Sequence, residues 1–466
     1  MTAAPTYAGR VLPTLNQDGS RRWIRPHWSR GRWSRARLVV GYALMAFFLT
    51  MPHLRWNGKP WILLDLPRRE FTFFGTTFLP TDTLLLMLLG LTVLTGIFLL
   101  TALFGRAWCG WGCPQTVYME YVFRPIERLF EGGESGSRRM DADRGRIHPK
   151  RWLKHVVYVG IAMLLAHTFL SYFVGTDALA IWMTQSPLQH PTPFVVMVVT
   201  TALIFADFGY FREQVCVVAC PYGRWQSALL DRQSLIVAYD SNRGEPRGRG
   251  KARDGLGDCI DCNACVATCP TGIDIRQGLQ MECIHCTQCM DACDAIMAKV
   301  HKPAGLIRYS SQDALAGHPP RLWRPRTVLY PVAFALFLSA FVWQLSTKEP
   351  ADITLLGPLG APYQVDATGA VTNQVRIRVA NRSRSERRYA FDVVEANELG
   401  ARVIAPVNPI AVAAGETGTT SFFITLPPGS YLDGVRTITV RVTEGERYRR
   451  DTPFRLTGPA PGLGGR

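Results

Sequence analysis

The sequence predicts a multi-pass α-helical membrane protein of about five spans. A small cysteine-rich domain sits between the last two, and an antiparallel β-sandwich follows. Three observations predict this. Five apolar runs are long enough, or nearly so, to cross ~30 Å of hydrocarbon at ~20 residues per span. Eight of the 12 cysteines fall in the 35 residues from Cys259 to Cys293. After residue 350 the apolar runs give way to short stretches of alternating apolar and polar residues.

Residues 1–37 form a polar, arginine-rich N-terminus. A four-span region follows over 38–237. Its spans are Leu38–Leu54, Leu84–Leu103, Val156–Val174 and Phe194–Phe211. Trp61–Leu66 is apolar too, but is short and broken by proline and charge. No small-residue cleavage site follows the first run, so it reads as an uncleaved span and not as a signal peptide. Lysine and arginine set the sidedness. Residues 1–37 carry 8, 55–82 carry 4, 104–154 carry 10, 175–192 carry 0 and 212–326 carry 15. The first, third and fifth segments are therefore expected inside, with the N-terminus cytoplasmic and the C-terminus outside. This accounts for the net charge of +16. Nucleic-acid binding is disfavoured, since no helix-turn-helix or zinc-finger pattern is present.

Two further motifs lie in this region. Trp108-Cys109-Gly110-Trp111-Gly112-Cys113-Pro114 and Cys216-Val217-Val218-Ala219-Cys220-Pro221-Tyr222 are both C-x3-C-P. Each begins about five residues after a span that exits to the inside, so the two pairs are expected to meet at the inner membrane face. On a helix, an i, i+4 spacing puts both sulfurs on one face, and the proline fits a helix boundary. Four soft thiolates can hold copper(I), zinc or a third cluster; spacing does not choose among them. The alternative is buried thiols packed at helix ends. Repetition at equivalent topological positions favours the metal or redox role. His53 beside Met51, and His167 with Met163 at i−4, are weaker signals. His167 reads as a neutral histidine bonded between helices. Asp207 reads as a partner of Arg212.

The cysteine-rich domain spans 238–326. Cys259, Cys262, Cys265 and Cys269, then Cys283, Cys286, Cys289 and Cys293, each read C-x2-C-x2-C-x3-C. That is the spacing of a bacterial ferredoxin, in which the last cysteine of each run ligates the other cluster. One [4Fe-4S] cluster is thus assigned to Cys259, Cys262, Cys265 and Cys293. The other takes Cys283, Cys286, Cys289 and Cys269. Zinc ribbons use well-separated C-x2-C pairs instead, and a reducing cytoplasm argues against disulfides. The first run ends Cys269-Pro270 as the pattern expects, whereas the second ends Cys293-Asp294. His285, inside the second loop, reads as tuning a cluster and not ligating it. The glycine-rich arginine run from Arg243 to Arg253 reads as a solvated linker.

The fifth span covers 327–346, with Val328–Leu345 as its apolar run. Residues 350–456 alternate in Val375–Val379, Tyr389–Val394, Thr420–Leu426 and Val435–Val442, which predicts a sandwich of about 100 residues. It contains no histidine, cysteine or methionine, so it is a poor copper store and reads as a docking domain. Residues 457–466 read as a flexible tail.

The order of these motifs resembles the CcoG family, also called FixG or RdxA, over essentially the whole chain. The resemblance implies an iron–sulfur protein of the bacterial inner membrane with an immunoglobulin-like periplasmic C-terminal domain. It implies a cupric reductase, with copper as substrate, that supplies copper(I) for assembly of cbb3-type cytochrome c oxidase. Cys109, Cys113, Cys216 and Cys220 map onto the family's C-x3-C-P motifs and become the catalytic, copper-handling residues. The oxidase assembly machinery and a copper chaperone or exporter are the implied partners. The electron donor and any homo-oligomer stay open. Two rival readings are a quinol-linked polyferredoxin, like the membrane subunits of periplasmic nitrate reduction, and a non-catalytic assembly scaffold.

Overall fold

The computed structural model describes residues 13–16, 18–56, 59–67, 70–73, 76–78, 82–143, 148–250, 254–319, 323–347, 349–383, 385–446 and 448–459. It divides into two units. The larger carries the long helices and the cysteine-rich domain up to Val342, and the smaller carries the β-sandwich.

In the larger unit five helices are long and apolar enough to cross a membrane: Arg32–His53, Thr83–Phe104, Pro149–Val174, Pro191–Phe211 and Pro325–Ser346. Their apolar side chains, Leu84, Val195, Leu203 and Leu336 among them, are exposed. Lipid would cover such a surface and water would not. Proline sits at the first position of the third and fourth helices, where its missing N–H costs nothing. The third and fourth helices pack together around Phe123, which stacks on Phe208 at 4.3 Å and meets Tyr158 edge-on at 4.8 Å. The apolar run at Trp61–Leu66 forms a hairpin strand. Ile62–Asp65 pairs antiparallel with Glu70–Phe73.

The first helix starts six residues before the expected span. Its first free N–H groups are met by a distant carboxylate: Asp291 accepts from Trp33 N at 3.2 Å and Ser34 N at 2.6 Å. This is an N-cap supplied in trans. Asp291 lies between Cys289 and Cys293, so the first helix is fastened to the cysteine-rich domain. Just before it, His27 N donates to Ala267 O at 2.9 Å and Thr268 Oγ1 to His27 O at 2.8 Å. The basic N-terminus therefore lies as a strap over that domain around His27; residues 1–12 and 17 lie outside the described residues.

Strands Ile236–Tyr239 and Ile307–Ser310 pair antiparallel and close the ends of the cysteine-rich domain. Its core is Val237, Ile273, Ile275, Met290, Met297, Leu306 and Ile307. The arginine run is not a free linker. Arg243 Nε pairs with Asp258 at 2.5 Å, and Arg249 Nε donates to Asp261 O at 3.0 Å. Acidic side chains of the cluster-bearing loop hold it down. Residues 251–253 lie outside the described residues.

The smaller unit is a sandwich of two antiparallel sheets. One runs Arg402–Ile404, Thr417–Leu426, Val371–Asn381, Ala351–Leu356, and the other Ile410–Val412, Arg387–Val393, Val435–Glu444, Tyr448–Thr457. Inward residues alternate as the period-2 pattern requires: Val375, Ile377 and Val379 face Tyr389, Phe391, Ile438, Val440 and Val442 across the core. Thr457, expected to open a flexible tail, ends a strand instead. Asn373 Nδ2 donates to Thr457 O at 2.9 Å, and Thr457 N donates back to Asn373 Oδ1 at 3.1 Å. Residues 460–466 lie outside the described residues.

Candidate redox metal centres

The two ferredoxin loops repeat one unusual backbone. Asp261 and His285, one residue before the second cysteine of each run, have φ of 50° and 53°. Asn263 and Thr287, one residue after it, have 59° and 62°. Left-handed non-glycine residues cost free energy, most of all β-branched ones. A turn that wraps three sulfurs around one small core needs this curl, so the same strain appears twice.

The last cysteine of the second run lies within electrostatic reach of the first run, as a crossed assignment expects. Cys293 feels the charges of Cys265, Cys259 and Cys262. Cys289 feels those of Cys286, Cys283 and Cys269 most strongly. Burial pushes the Cys265, Cys283 and Cys293 thiols up to about 12, with their neighbours adding to it. Thiols this reluctant to ionise become thiolates when a metal core binds. A small cavity lined by Cys265, Cys269, Cys283, Cys286 and Cys289, with Val237, Ile273 and Ile275, lies among them. Sulfur with apolar surroundings is the donor set an iron–sulfur cubane takes.

The four remaining cysteines also come together. Burial first, then the charges of Cys113, Cys109 and Cys220, pushes the Cys216 thiol up to about 12. Cys109 and Cys113 are raised by burial too, and both sense Cys220. Cys113 and Cys220 each cap a helix that starts at the following proline. Gly223 N donates to Cys220 Sγ at 3.4 Å. Cys109 Sγ donates to Gln226 Oε1 at 3.0 Å, and Gln226 Nε2 is held by Tyr222 OH at 2.8 Å and Thr101 Oγ1 at 3.1 Å. Gln226 is a residue that sequence reasoning missed. Nothing in the sequence marks Gln226 as a partner of Cys109, because Cys109 and Thr101 lie on other helices.

This tetrad backs onto the second ferredoxin loop. A Cβ on Gly110 would lie 2.6 Å from Ile284 O and 2.8 Å from Cys286 Cα, so only glycine permits the approach. Cys109, Ile284, Cys286 and Tyr222 share one buried cluster. On the other side, Cys216 shares a small polar niche with Pro270, Thr271 and Ile284. Both halves of the tetrad thus abut loops that carry ligands of the second cluster, Cys286 and Cys269.

A buried ion network locks this junction. Arg124 pairs with Glu120, reaches Glu213 at 3.4 Å and donates to Pro270 O at 3.2 Å. Arg212 pairs with Glu127 at 3.0 Å and Glu213 at 3.6 Å. Gln288 Nε2 donates to Glu120 Oε2 at 2.8 Å, and Arg37 Nε to Gly110 O at 2.9 Å. Burial works against the Glu120 carboxylate, but Arg124 and Arg37 outweigh it and hold its pKa below the ordinary value.

Three expectations are corrected. Asp207 does not pair with Arg212: it accepts from Gln115 Nε2 at 2.7 Å, while Arg212 turns to Glu127 and Glu213. His167 does not bridge helices: its Nδ1 bonds Met163 O of its own helix at 2.8 Å. Met51 is buried and His53 exposed, so that pair does not share an environment. His285 is fully buried, and its Nδ1 accepts from Arg106 N at 3.2 Å. Burial, then Arg106, pushes its pKa down to about 3, so it stays neutral.

Comparison with known proteins gives the family. Family models match a 4Fe-4S dicluster domain over residues 211–312, a 4Fe-4S binding domain over 86–131, and the Ig-like fold at the C-terminus of FixG over 341–459. Protein RdxA of Cereibacter sphaeroides is 35% identical over 83% of this chain and 85% of its own. The nitrogen fixation protein FixG of Rhizobium meliloti is 30% identical over 100% of this chain and 98% of its own. The chain belongs to the FixG/RdxA family. Protein RdxB of Cereibacter sphaeroides, 33% identical over 90% of this chain and 93% of its own, falls in the same group. Like its FixG/RdxA relatives, the protein is an iron–sulfur electron-transport protein, with two ferredoxin 4Fe-4S sites, five candidate membrane helices and an Ig-like C-terminal domain.

Proposed function

We propose that this protein is a cupric reductase of the bacterial inner membrane, delivering copper(I) for the assembly of a cbb3-type cytochrome c oxidase. In this reading the two ferredoxin sites face the cytoplasm and the Ig-like domain faces the periplasm. Bound cubanes supply the storage and passage of single electrons. Cys259, Cys262, Cys265 and Cys293 hold the site remote from the tetrad. Cys283, Cys286, Cys289 and Cys269 hold the site that abuts it. Electrons from a donor would therefore leave the protein at Cys109, Cys113, Cys216 and Cys220. There each copper(II) takes up one electron and becomes copper(I), the state soft sulfur ligands prefer. A copper chaperone or exporter then receives it.

The observation that carries this reading is the backbone contact of Gly110 with Ile284 and Cys286. It leaves no side chain between the tetrad and a cluster-ligating loop. Arg37 Nε, which donates to Gly110 O at 2.9 Å, holds that contact.

The test is anaerobic. The purified protein is reduced, copper(II) is added, and cluster oxidation is followed together with copper(I) formation. One copper(I) per electron lost from the clusters supports the proposal. Clusters that stay reduced beside copper(II) refute it and leave quinol oxidation or scaffolding. Substitution of the four tetrad cysteines by serine should abolish copper(I) formation while the two ferredoxin sites keep their iron.

A further inference from the structure

We propose that the Thr287 hydroxyl is a hydrogen-bond donor to sulfur of the second iron–sulfur site and, with Thr271, raises that site's reduction potential. The inference goes beyond the reading above and does not depend on copper. Both threonines line the small cavity among Cys265, Cys269, Cys283, Cys286 and Cys289.

Threonine is an unfavourable residue at position 287. It lies between Cys286 and Cys289 with φ 62°, a left-handed conformation in which β-branched residues are outliers. Its counterpart in the first loop is Asn263 at φ 59°, a residue type that tolerates this region better. The curl that wraps the sulfurs explains the backbone of both loops. It does not explain a threonine, because glycine or asparagine would follow the same curl with less strain.

The usual reasons for a threonine are absent as well. Thr287 is the N-cap of the helix Gln288–Lys299, where a hydroxyl normally accepts from a free N–H of the first turn. Its side chain makes no such bond. Thr287 is 1% exposed, so solvent does not serve it. Its Oγ1 has no hydrogen-bond partner among the described residues. Other strained side chains nearby do have partners. Asp261 and Asn263 each accept from Arg276 at 2.6 Å. His285 Nδ1 accepts from Arg106 N, and Arg212, at φ 54°, pairs with Glu127 and Glu213. Buried polar groups are almost always hydrogen-bonded. The acceptors that this cavity gains on loading are sulfurs.

The same cavity already shows a hydroxyl beside sulfur. Thr271 is buried, and its Oγ1 lies 3.4 Å from Cys269 Sγ. Once Cys269 is a thiolate it can only accept, so the hydroxyl donates. Thr271 stands two residues after the last cysteine of the first run; the same place after the second run is Ala295. With the last cysteines crossed, both hydroxyls fall at the second site. The first site has Ala295 and an Asn263 turned to Arg276. The reduced site carries one more negative charge than the oxidised one, so a donor to its sulfur stabilises the reduced state more. Hydrogen bonds to sulfur are among the factors that set such potentials.

The test is an EPR-monitored redox titration of the full-length, iron-loaded protein without oxygen, as wild type, T287V and T287S. T287V keeps the branched shape and the strain and removes the hydroxyl. It should shift one of the two one-electron equilibria about tenfold toward the oxidised state, about 59 mV, and leave the other where it was. T287S, which restores the hydroxyl, should return to the wild-type midpoint. Unchanged midpoints in T287V, a shift of both sites, or T287S displaced as far as T287V overturns the proposal. If T287V does not load iron, T287A takes its place, and equal midpoints for T287A and T287S overturn it. T271V should move the same midpoint that T287V moves; movement of the other would overturn the part given to Thr271. No copper is added, so cupric reduction stands or falls on its own test.

Discussion

Substituting Gly110 by alanine tests the junction directly. The added methyl would sit 2.6 Å from Ile284 O and 2.8 Å from both Cys286 Cα and His285 O. Ordinary contact starts near 3.4 Å, so the two backbones must separate by about 0.8 Å. Every atom in the way is main chain, and that main chain is fixed by a cluster ligand. Overpacking of this kind costs roughly 1–3 kcal/mol. Gly112→Ala is the matched control. Its methyl meets the Trp108 ring at 2.8 Å, but Trp108 is exposed and its side chain can swing away. G110A should therefore lower the thermal midpoint in detergent and slow copper(I) formation, with both ferredoxin sites still loaded with iron. G112A should do neither to a comparable degree. Equal midpoints and equal rates for the two variants would refute the claim that this backbone contact joins the tetrad to the second cluster.

Three other outcomes are expected. If the last cysteines cross, C293S and C259S should leave the same residual EPR spectrum, as should C269S and C283S; a match of C293S with C283S would reverse the assignment. Arg212→Gly relieves backbone strain worth roughly 1–3 kcal/mol but removes the guanidinium paired with the buried Glu127 carboxylate, and one of those on Glu213, which costs roughly 3–5 kcal/mol. The variant should thus be net destabilised, and a higher midpoint than wild type would show the strain to dominate. Burial opposes the Glu131 carboxylate, but Lys154 and Ser137 hold its pKa down to about 2, below the usual 4.5. A depressed carboxylate pKa contributes stability above about 4.5 that is lost as pH falls towards 2. Glu131→Gln should lower the midpoint at pH 7, with the difference from wild type narrowing on acidification; a pH-independent difference would assign the effect to packing.

How much was legible depended on whether the cause was local. Cysteine spacing reports a local demand, three sulfurs on one loop, so the ferredoxin runs stood out. Apolar run length is local too, and the five long helices fell where the runs were, apart from their ends. The first helix began early because Asp291, some 260 residues away in sequence, caps it. The mispairing of Asp207 has the same origin. Arg212 is its near neighbour in sequence, but a strained turn points the guanidinium at Glu127 and Glu213. Gln226, the N-terminal strap and the ion network are all defined by partners on other elements, and periodicity carries no trace of them.

The two C-x3-C-P segments do the same job by different means, and the difference says which half is constrained by what. At Gly105 an added Cβ would collide with Leu235 O and approach the His285 ring at 3.3 Å. That half is pressed against the ferredoxin loop, and space excludes any side chain. At Arg212 the backbone angles are nearly the same, yet there is room, and a long side chain is used to clamp Glu127 and Glu213. One half is therefore positioned by close packing against Leu235 and the ferredoxin loop, and the other by buried charge that links it to Pro270 through Glu213 and Arg124. Packing gives a fixed short distance. Charge gives a hold that survives small shifts of the fourth membrane helix. A four-sulfur site assembled from two separate helices needs both: one pair anchored to the ferredoxin loop, and a second pair tied to the same domain by buried charge.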